Sequence, residues 1–120
     1  MLAGIFRDGS GLGDSLHRYI TVRTIAEENG WEWGMLVEGN GFKGDSFMKG
    51  DFYGRNPVAL GWPHSFKHWN ELEIRVNGAD CRSFDPESQF LEDNTFIDGS
   101  FESFQYWGHN LKNINEWLQV

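Results

Sequence analysis

The first 37 residues of this 120-residue chain combine two short apolar runs with one helical pattern between them. "LAGIF" (2–6) is long enough for a buried strand, and "WEWGMLV" (31–37) supplies a second strand. Between them, "DGSGLG" (8–13) predicts a loop, and a helical pattern follows it as far as Gly30, where a helix-ending glycine belongs. A connection of this length predicts a right-handed crossover between parallel strands. We therefore expect residues 2–6 and 33–37 to pair in parallel.

The predicted helix is amphipathic, which is typical of a helix that lies on a sheet. Asp14 or Ser15 is expected to cap its first turn, because their side-chain oxygens can accept hydrogen bonds from free amides. One arc is mostly apolar and is expected to face the sheet, while the opposite arc is polar and is expected to face solvent. The first arc holds Leu16, Tyr19, Ile20, Val22 and Ala26, and the second holds His17, Thr21, Thr24 and Glu28.

The middle of the chain is less regular. Residues 39–57 contain many glycines and predict a long loop, which in a compact domain is often functional. "PHSFKHWNE" (63–71) favours a short helix with Pro63 at its first position, and "ELEIRV" (71–76) favours a strand that ends at an Asn77–Gly78 turn. Residues 77–89 predict a loop, and Thr95–Ile97 predict a short strand that ends at Gly99.

The last segment carries large apolar residues at alternating spacings of three and four. This periodicity predicts one buried face of a helix of about four turns, although Gly108 lies inside it. The pattern continues almost to the last residue with no Gly or Pro to end it, and we expect further chain to follow. The stripe consists of Phe104, Trp107, Leu111, Ile114 and Leu118.

Composition excludes several classes of function. Eighteen acidic and ten basic residues give a formal net charge of -8, so phosphate-driven binding to nucleic acid or to an anionic membrane is disfavoured. Cys81 is the single cysteine, which excludes an intrachain disulfide and favours a cytoplasmic location. Its side chain is expected to be a small buried group. The apolar N-terminal stretch is too short for a signal peptide or a membrane span.

The glycine-rich loop is a candidate ligand site, because loops after the carboxyl ends of parallel strands bind ligands. Gly9, Gly11 and Gly13 do not match the dinucleotide fingerprint, and no lysine is present for a phosphate-binding loop. Asp14 would repel an anion at the start of the helix. The loop therefore favours hydroxyl-rich ligands over phosphates.

Two segments resemble the α-1,2-fucosyltransferases and their bacterial relatives. "GSGLGDSLHRYITVRTIAEENG" (9–30) resembles the family's Gly-Gly-Leu-Gly-Asn-Gln-Leu/Met-Phe-Gln-Tyr opening, and its Gly-Asp pair resembles the chitooligosaccharide fucosyltransferase branch. "DGSFESFQYW" (98–107) is similar to the family's Gly-Tyr-Phe/Trp-Gln-Ser-Glu-Lys-Tyr-Phe stretch, with Ser100 and Glu102 replacing Tyr and Gln. The matching residues are Gly11, Leu12, Gly13, Leu16, Tyr19, Ala26, Gly99, Phe101, Ser103 and Tyr106.

The resemblance implies an α/β fold with a Rossmann-like parallel sheet and flanking helices, the N-terminal half of a two-domain GT-B enzyme. Residues 1–120 would form this single acceptor-side domain. The family transfers fucose from GDP-fucose to a glycan hydroxyl and needs no metal or other cofactor. Its donor site lies chiefly in a second domain that carries a His-x-Arg-x-Gly-Asp stretch, which is missing here. The fragment alone is therefore expected to be inactive, with the glycan, the nucleotide sugar and that second domain as its partners.

Each candidate site residue also has a structural explanation. Asp14 can be a helix cap, Arg7 and Asp8 an exposed ion pair, His17 a surface histidine, and Ser103 a cap of the last helix. The candidate catalytic residues are Asp8, Asp14 and Glu102, and the candidate substrate-binding residues are Arg7, Gly11, Gly13, Ser15, His17, Gly99 and Ser103.

Three other functions compete with the transferase hypothesis. His64 and His68 are spaced for one helix turn, with Glu71 nearby, but a zinc site is not favoured because a third ligand lacks support. The alternatives that remain open are a carbohydrate-binding module without catalysis and a small nucleotide-binding Rossmann domain.

Overall fold

The computed structural model describes residues 1–9, 11–39, 42, 44, 48–71, 74–76, 79–81 and 84–118. Its main sheet has four parallel strands in the order β2-β1-β6-β3. They are β1 (Leu2–Phe6), β2 (Trp33–Val37), β3 (Lys67–Asn70) and β6 (Thr95–Asp98). β4 (Ile74–Val76) and β5 (Ala79–Cys81) form a separate antiparallel pair, and the α-helices are α1 (Leu12–Glu28) and α2 (Leu111–Trp117). The predicted α/β fold, a parallel sheet flanked by helices in a Rossmann-like arrangement, is confirmed.

The β1-α1-β2 unit follows the sequence prediction closely. β1 and β2 pair in parallel, from Leu2 opposite Trp33 to Phe6 opposite Val37. Gly30 ends α1 with a φ of 72°, in the left-handed region that glycine adopts readily. Its N–H donates to the Glu27 carbonyl at 3.2 Å, while the Trp31 N–H donates to the Ala26 carbonyl at 2.8 Å. These two bonds satisfy carbonyls that the helix end would otherwise leave free.

The predicted cap of α1 is wrong. Gly11 is the N-cap residue and makes no side-chain cap hydrogen bond, because the helix begins earlier than expected, at Leu12. Asp14 therefore lies within the first turn, where its charge still suits the positive end of the helix dipole. Ser15 is buried, and its backbone N–H donates to the Gly11 carbonyl at 3.1 Å.

The predicted solvent-facing arc of α1 is wrong at Thr21 and Thr24, although Glu28 is exposed as expected. Thr21 and Thr24 are completely buried, because the C-terminal segment packs over the side of α1 that faces away from the sheet. Asn110 of that segment donates a hydrogen bond from Nδ2 to Oγ1 of Thr24 at 3.0 Å. His17 is half-buried and stacks on Trp107 with the ring centroids 5.9 Å apart. The helix is thus enclosed on two sides.

The sheet separates two hydrophobic clusters. The larger cluster lies between the sheet and the helices and includes Leu2, Tyr19 and Ile114. The smaller cluster, on the opposite face, includes Ile5 and is closed by Phe66. Gly4 lets α1 approach the sheet, since a Cβ there would lie 2.5 Å from Cγ2 of Val22.

The helix predicted over residues 63–71 is wrong, because its second half forms β3 beside β6. Lys67, His68 and Asn70 of β3 are exposed, so this strand has no alternation of apolar residues from which to predict it. His64 lies in a turn, and the two histidines do not share a helix face.

Around residues 71–98 the predictions are partly confirmed. β4 and β6 lie where strands were expected, whereas Ala79–Cys81 form a strand and Pro86–Phe90 a 3-10 helix within a predicted loop. The predicted Asn77–Gly78 turn and the burial of the Cys81 side chain fall outside the described part of the chain.

The long C-terminal helix is wrong as well. Two 3-10 turns, Phe104–Tyr106 and Gly108–Asn110, precede the seven-residue α2. Trp107 leaves the helical region with φ -141° and ψ -4°, which separates the turns. Of the predicted stripe, Phe104 and Leu111 are 57% and 41% exposed and only Ile114 is buried, while Tyr106 enters the core.

The two edges of the sheet differ. The Tyr53 carbonyl accepts the Met35 N–H at 2.8 Å, and the Arg55 N–H donates to the Trp33 carbonyl at 3.1 Å, so residues 53–55 cover the edge at β2. β3 forms the opposite edge, with no further strand beside it in the described ranges.

Candidate functional site

A polar cleft of about 490 Å³ opens at the carboxyl end of the parallel sheet. Three neighbouring strands end there, namely β1, β6 and β3, and the first turns of α1 form another wall. Ligands of open α/β sheets bind at this edge. The lining residues of this cleft are Arg7, Asp14, Arg18, Asn70, Glu71, Asp98, Gly99 and Ser100.

Asp98, the last residue of β6, joins two arginines. Its Oδ1 accepts a hydrogen bond from Nη1 of Arg18 at 2.7 Å, and its Oδ2 accepts one from Nη2 of Arg7. Arg7 also donates from Nη1 to Oε2 of Glu38 at 2.8 Å. Charge-assisted hydrogen bonds of this kind fix the orientation of both guanidinium groups.

The electrostatics of this network favour the charged forms. Burial raises the pKa of Asp98, but the hydrogen bonds from Arg7 and Arg18 outweigh it, so the pKa of this carboxyl lies below its usual range. The hydrogen bond to Asp98 raises the pKa of the Arg7 guanidinium. The hydrogen bond from Arg7 and then that from the Asp8 N–H lower the pKa of Glu38.

Glu71 supports the floor of the cleft from the end of β3. Its side chain is buried, and Oε1 accepts hydrogen bonds from the N–H groups of Ser100 and Phe101, both at 3.1 Å. Phe101 has a φ of 51°, which is uncommon for a residue with a bulky side chain. Burial, followed by a hydrogen bond with Glu71, raises the pKa of Tyr106. Glu71 thus holds the turn that follows β6.

Two buried polar atoms of the cleft residues find no hydrogen-bond partner among the residues that the structure describes. They are Oε2 of Glu71, an acceptor, and Nε of Arg18, a donor. Arg18 Nε lies 3.5 Å from Oδ2 of Asp14, within ion-pair range but without a hydrogen bond. The lining carries three carboxylates and two guanidinium groups, a formal balance of one negative charge. Such a site offers both donors and acceptors, which suits hydroxyl groups better than phosphates.

Three of the candidate residues from the sequence line the cleft, namely Arg7, Asp14 and Gly99. Asp8 is exposed, and its backbone N–H donates to Oε1 of Glu38 at 3.1 Å. Arg7 does not pair with Asp8 but with Glu38 and Asp98.

The remaining candidates lie outside the lining. Glu102 is exposed, and Ser103 caps a 3-10 turn by accepting the Gln105 N–H on Oγ at 3.3 Å. Ser15 and His17 belong to the buried and half-buried parts of α1. Gly11 and Gly13 are exposed, and a Cβ at either position would meet nothing within 4 Å, so the fold itself does not require glycine there.

Sequence reasoning missed the other lining residues, which are Arg18, Asn70, Glu71, Asp98 and Ser100. Asp98 and Asn70 are polar residues that end strands, the position from which side chains enter a ligand site in α/β proteins. The spacing of Asp14 and Arg18, four residues apart on a helix, also indicated an ion pair. No comparable signal marked Glu71, because β3 itself was predicted as a helix.

The described residues contain no group of three His, Cys, Asp or Glu side chains that could hold a metal ion. Within the same ranges, no helix has the length and apolar character that crossing a bilayer requires.

Comparison of the chain with protein-family models, with curated proteins and with solved structures found no match in any of the three. The arrangement defines an α/β protein with a polar cleft at the carboxyl edge of its parallel sheet.

Proposed function

We propose that this chain is the N-terminal, acceptor-side domain of a fucosyltransferase-like glycosyltransferase. One observation carries the proposal: the two segments that resemble this family lie far apart in the sequence but both reach the same cleft. Asp14 comes from the first segment, and Asp98, Gly99 and Ser100 come from the second. Two of these cleft residues carry the resemblance, since Asp14 belongs to the Gly-Asp pair and Gly99 matches the second stretch, whereas Ser100 departs from it.

The glycines at the start of α1 support a ligand at this end of the sheet. Gly11 has a φ of -71°, and the space around Gly11 and Gly13 is open. Neither a positive φ nor a close neighbour in the described ranges accounts for glycine at these positions. Close approach of a ligand to the backbone does account for it.

The chemistry of the cleft suits the acceptor half of the reaction. When fucose moves from GDP-fucose to a glycan, the C1–O bond to GDP breaks and a C1–O bond to the glycan hydroxyl forms. The hydroxyl proton passes to a base, and GDP leaves with the additional negative charge. A cleft with three carboxylates can accept the proton, and its negative balance disfavours the diphosphate. We place the donor site in a second domain and the protein in the cytoplasm.

Binding measurements test this assignment. We expect chitobiose or lactose to bind weakly to the 120-residue chain, and GDP and GDP-fucose to show no measurable binding with or without magnesium. Calorimetry gives the affinities, and two-dimensional amide NMR spectra locate the binding site, with shifts expected at Arg7, Asn70 and Gly99. The control variant is Glu92→Gln, which should bind saccharide like the wild type because Glu92 is exposed and pairs with Lys67 outside the cleft.

The competing functions give different results. Micromolar affinity for GDP would contradict the acceptor-side assignment and favour a nucleotide-binding domain. Saccharide binding that shifts residues outside the cleft would contradict the site. Tight saccharide binding with no fucosyl transfer, even when the family's donor domain is supplied in trans, would favour a binding module.

A further inference from the structure

The polar side chains that line the cleft are not equally available to a ligand. Asp98 accepts hydrogen bonds from both Arg7 and Arg18, so these three groups already bind one another. Glu71 is buried and is occupied by the two backbone amides that it holds. A ligand that enters the cleft as it stands therefore needs side chains that reach the surface and have hydrogen-bonding atoms to spare.

Asp14 and Asn70 meet both conditions. The side chain of Asp14 is 29% exposed and makes no hydrogen bond within the described ranges. Its Oδ2 lies 3.5 Å from Nε of Arg18, an ion-pair distance that leaves the carboxylate oxygens able to accept from a ligand. Asn70 is exposed, and no described residue forms a hydrogen bond with its amide group. The cleft thus offers an accessible carboxylate and an accessible amide.

The two side chains are carried by different walls of the cleft. Asp14 lies in the first turn of α1, and Asn70 is the last residue of β3. Groups carried by helices and strands keep their positions more precisely than groups on loops. The volume of about 490 Å³ is within the range of small-molecule sites, so one ligand can contact both walls.

The chemistry of these two groups selects the ligand. An ionised carboxylate accepts hydrogen bonds and repels anions, so the partner of Asp14 is a donor without negative charge. Arg18 already compensates the charge of Asp14, and the amide of Asn70 is neutral, so the pair does not require a cation. A hydroxyl group can donate to Asp14, and a neighbouring hydroxyl can both donate to and accept from Asn70. A sugar ring carries several such hydroxyls in a fixed arrangement.

We propose that Asp14 and Asn70 bind hydroxyl groups of an uncharged saccharide from opposite walls of the cleft. Asp14 accepts a hydrogen bond from one hydroxyl, and the Asn70 amide donates to and accepts from another. This inference rests on the proposed function and assigns the acceptor-binding contacts to two residues.

The test measures dissociation constants for chitobiose by two-dimensional amide NMR titration of the full chain. Asp14→Ala should weaken binding roughly 10-fold or more, because it removes a hydrogen bond to a charged group. Asn70→Ala should weaken it by about 2- to 10-fold, since its hydrogen bonds are between neutral groups. Both sites are accessible, and spectra of the free variants that match the wild type show that they fold. Glu92→Gln is the control and should bind like the wild type.

Monodeoxy analogues of chitobiose keep the test valid if a variant does not fold. On the wild type, the analogue that lacks the hydroxyl bound by Asp14 should bind more weakly by the same factor as chitobiose on Asp14→Ala. On that variant, the same analogue should bind no more weakly than chitobiose. Equal wild-type affinities for chitobiose and all its monodeoxy analogues would overturn the inference.

The remaining outcomes separate this inference from the proposed function. A wild type that binds chitobiose in the cleft, with unchanged affinity in folded Asp14→Ala and Asn70→Ala, would overturn the inference and leave the proposed function standing. Glucosamine that binds much more tightly than N-acetylglucosamine would also overturn it, because the group recognised would then be an ammonium. A wild type that binds no saccharide would overturn the proposed function and this inference together.

Discussion

Asp98 is the residue on which the geometry of the cleft depends most directly. It ends β6 and holds Arg7 on one oxygen and Arg18 on the other. Its side chain is 20% exposed, so the attraction is only partly screened by solvent. Replacing it would leave two guanidinium groups close together without the carboxylate between them.

Asp98→Asn is expected to lower the free energy of unfolding at pH 7 by about 1–3 kcal/mol. Because the folded pKa of Asp98 is lowered, its contribution is fully present above the unfolded pKa of about 3.9 and is lost as pH falls through the folded pKa. Urea titrations of both proteins between pH 7 and pH 2.5 should therefore show a difference that shrinks below about pH 4. A difference that stays constant over this range would show that Asp98 does not act through its charge.

The site residues differ in how well sequence could predict them. Arg7 was identified because it directly follows a predicted strand, and Gly99 because it matches the resembled family. Glu71 was not, since its role comes from backbone amides about 30 residues away, which no local pattern encodes. Asp8 and Asp14 are close in sequence, but they lie in different elements. Asp14 is in the first turn of α1 and lines the cleft, whereas Asp8 lies in the loop before that helix and does not.

At the scale of elements, hydrophobic periodicity correctly predicted the elements whose own residues carry a clear pattern. β1, α1 and β2 were correct because an apolar run, a helical pattern and Gly30 agree with one another. The polar arc of α1 failed because burial of Thr21 and Thr24 depends on a distant segment that covers them. The C-terminal stripe failed because the chain leaves helical geometry at Trp107.

The α2 helix offers a direct comparison of two positions from the predicted stripe. Ile114 is 3% exposed and Leu111 is 41% exposed. Ile114→Ala should lower the free energy of unfolding by about 2–5 kcal/mol, because it leaves a cavity in the core. Leu111→Ala should change it by about 0.5 kcal/mol or less, as is usual at the surface. Thermal and urea unfolding measure both, and equal losses would mean that the helix presents a different face to the core.

At the scale of the whole molecule, Arg23 of α1 contacts both the sheet and the C-terminal helix α2. Its guanidinium lies 5.0 Å from the ring centre of Trp33 on β2 and 4.3 Å from that of Trp117 at the end of α2. Nη1 also donates to the hydroxyl of Tyr19 at 2.7 Å. A cation between two aromatic rings is attracted to both of them. Arg23 of α1 therefore links Trp117 of α2 to Trp33 of the sheet.

Arg23→Ala should therefore loosen the C-terminal segment before it affects the sheet. We expect amides of residues 111–118 to exchange hydrogen faster in the variant, with a loss of about 1–2 kcal/mol in local opening free energy. Amides of β1 and β6 should change less. Arg23→Lys is the control, since it keeps the charge but lacks the planar group that stacks on the rings. Uniformly faster exchange across the protein would contradict a local role.

The unequal edges of the sheet have a consequence for the protein at high concentration. An uncovered edge strand presents free N–H and C=O groups to which another chain can add. The edge at β2 is covered by residues 53–55, but exposed Lys67, His68 and Asn70 mark the edge at β3. Two features of that edge oppose such pairing, namely the four-residue length of β3 and the charged pair of Lys67 with Glu92. Because salt screens exposed charges, we expect strands of neighbouring molecules to pair most readily in concentrated salt.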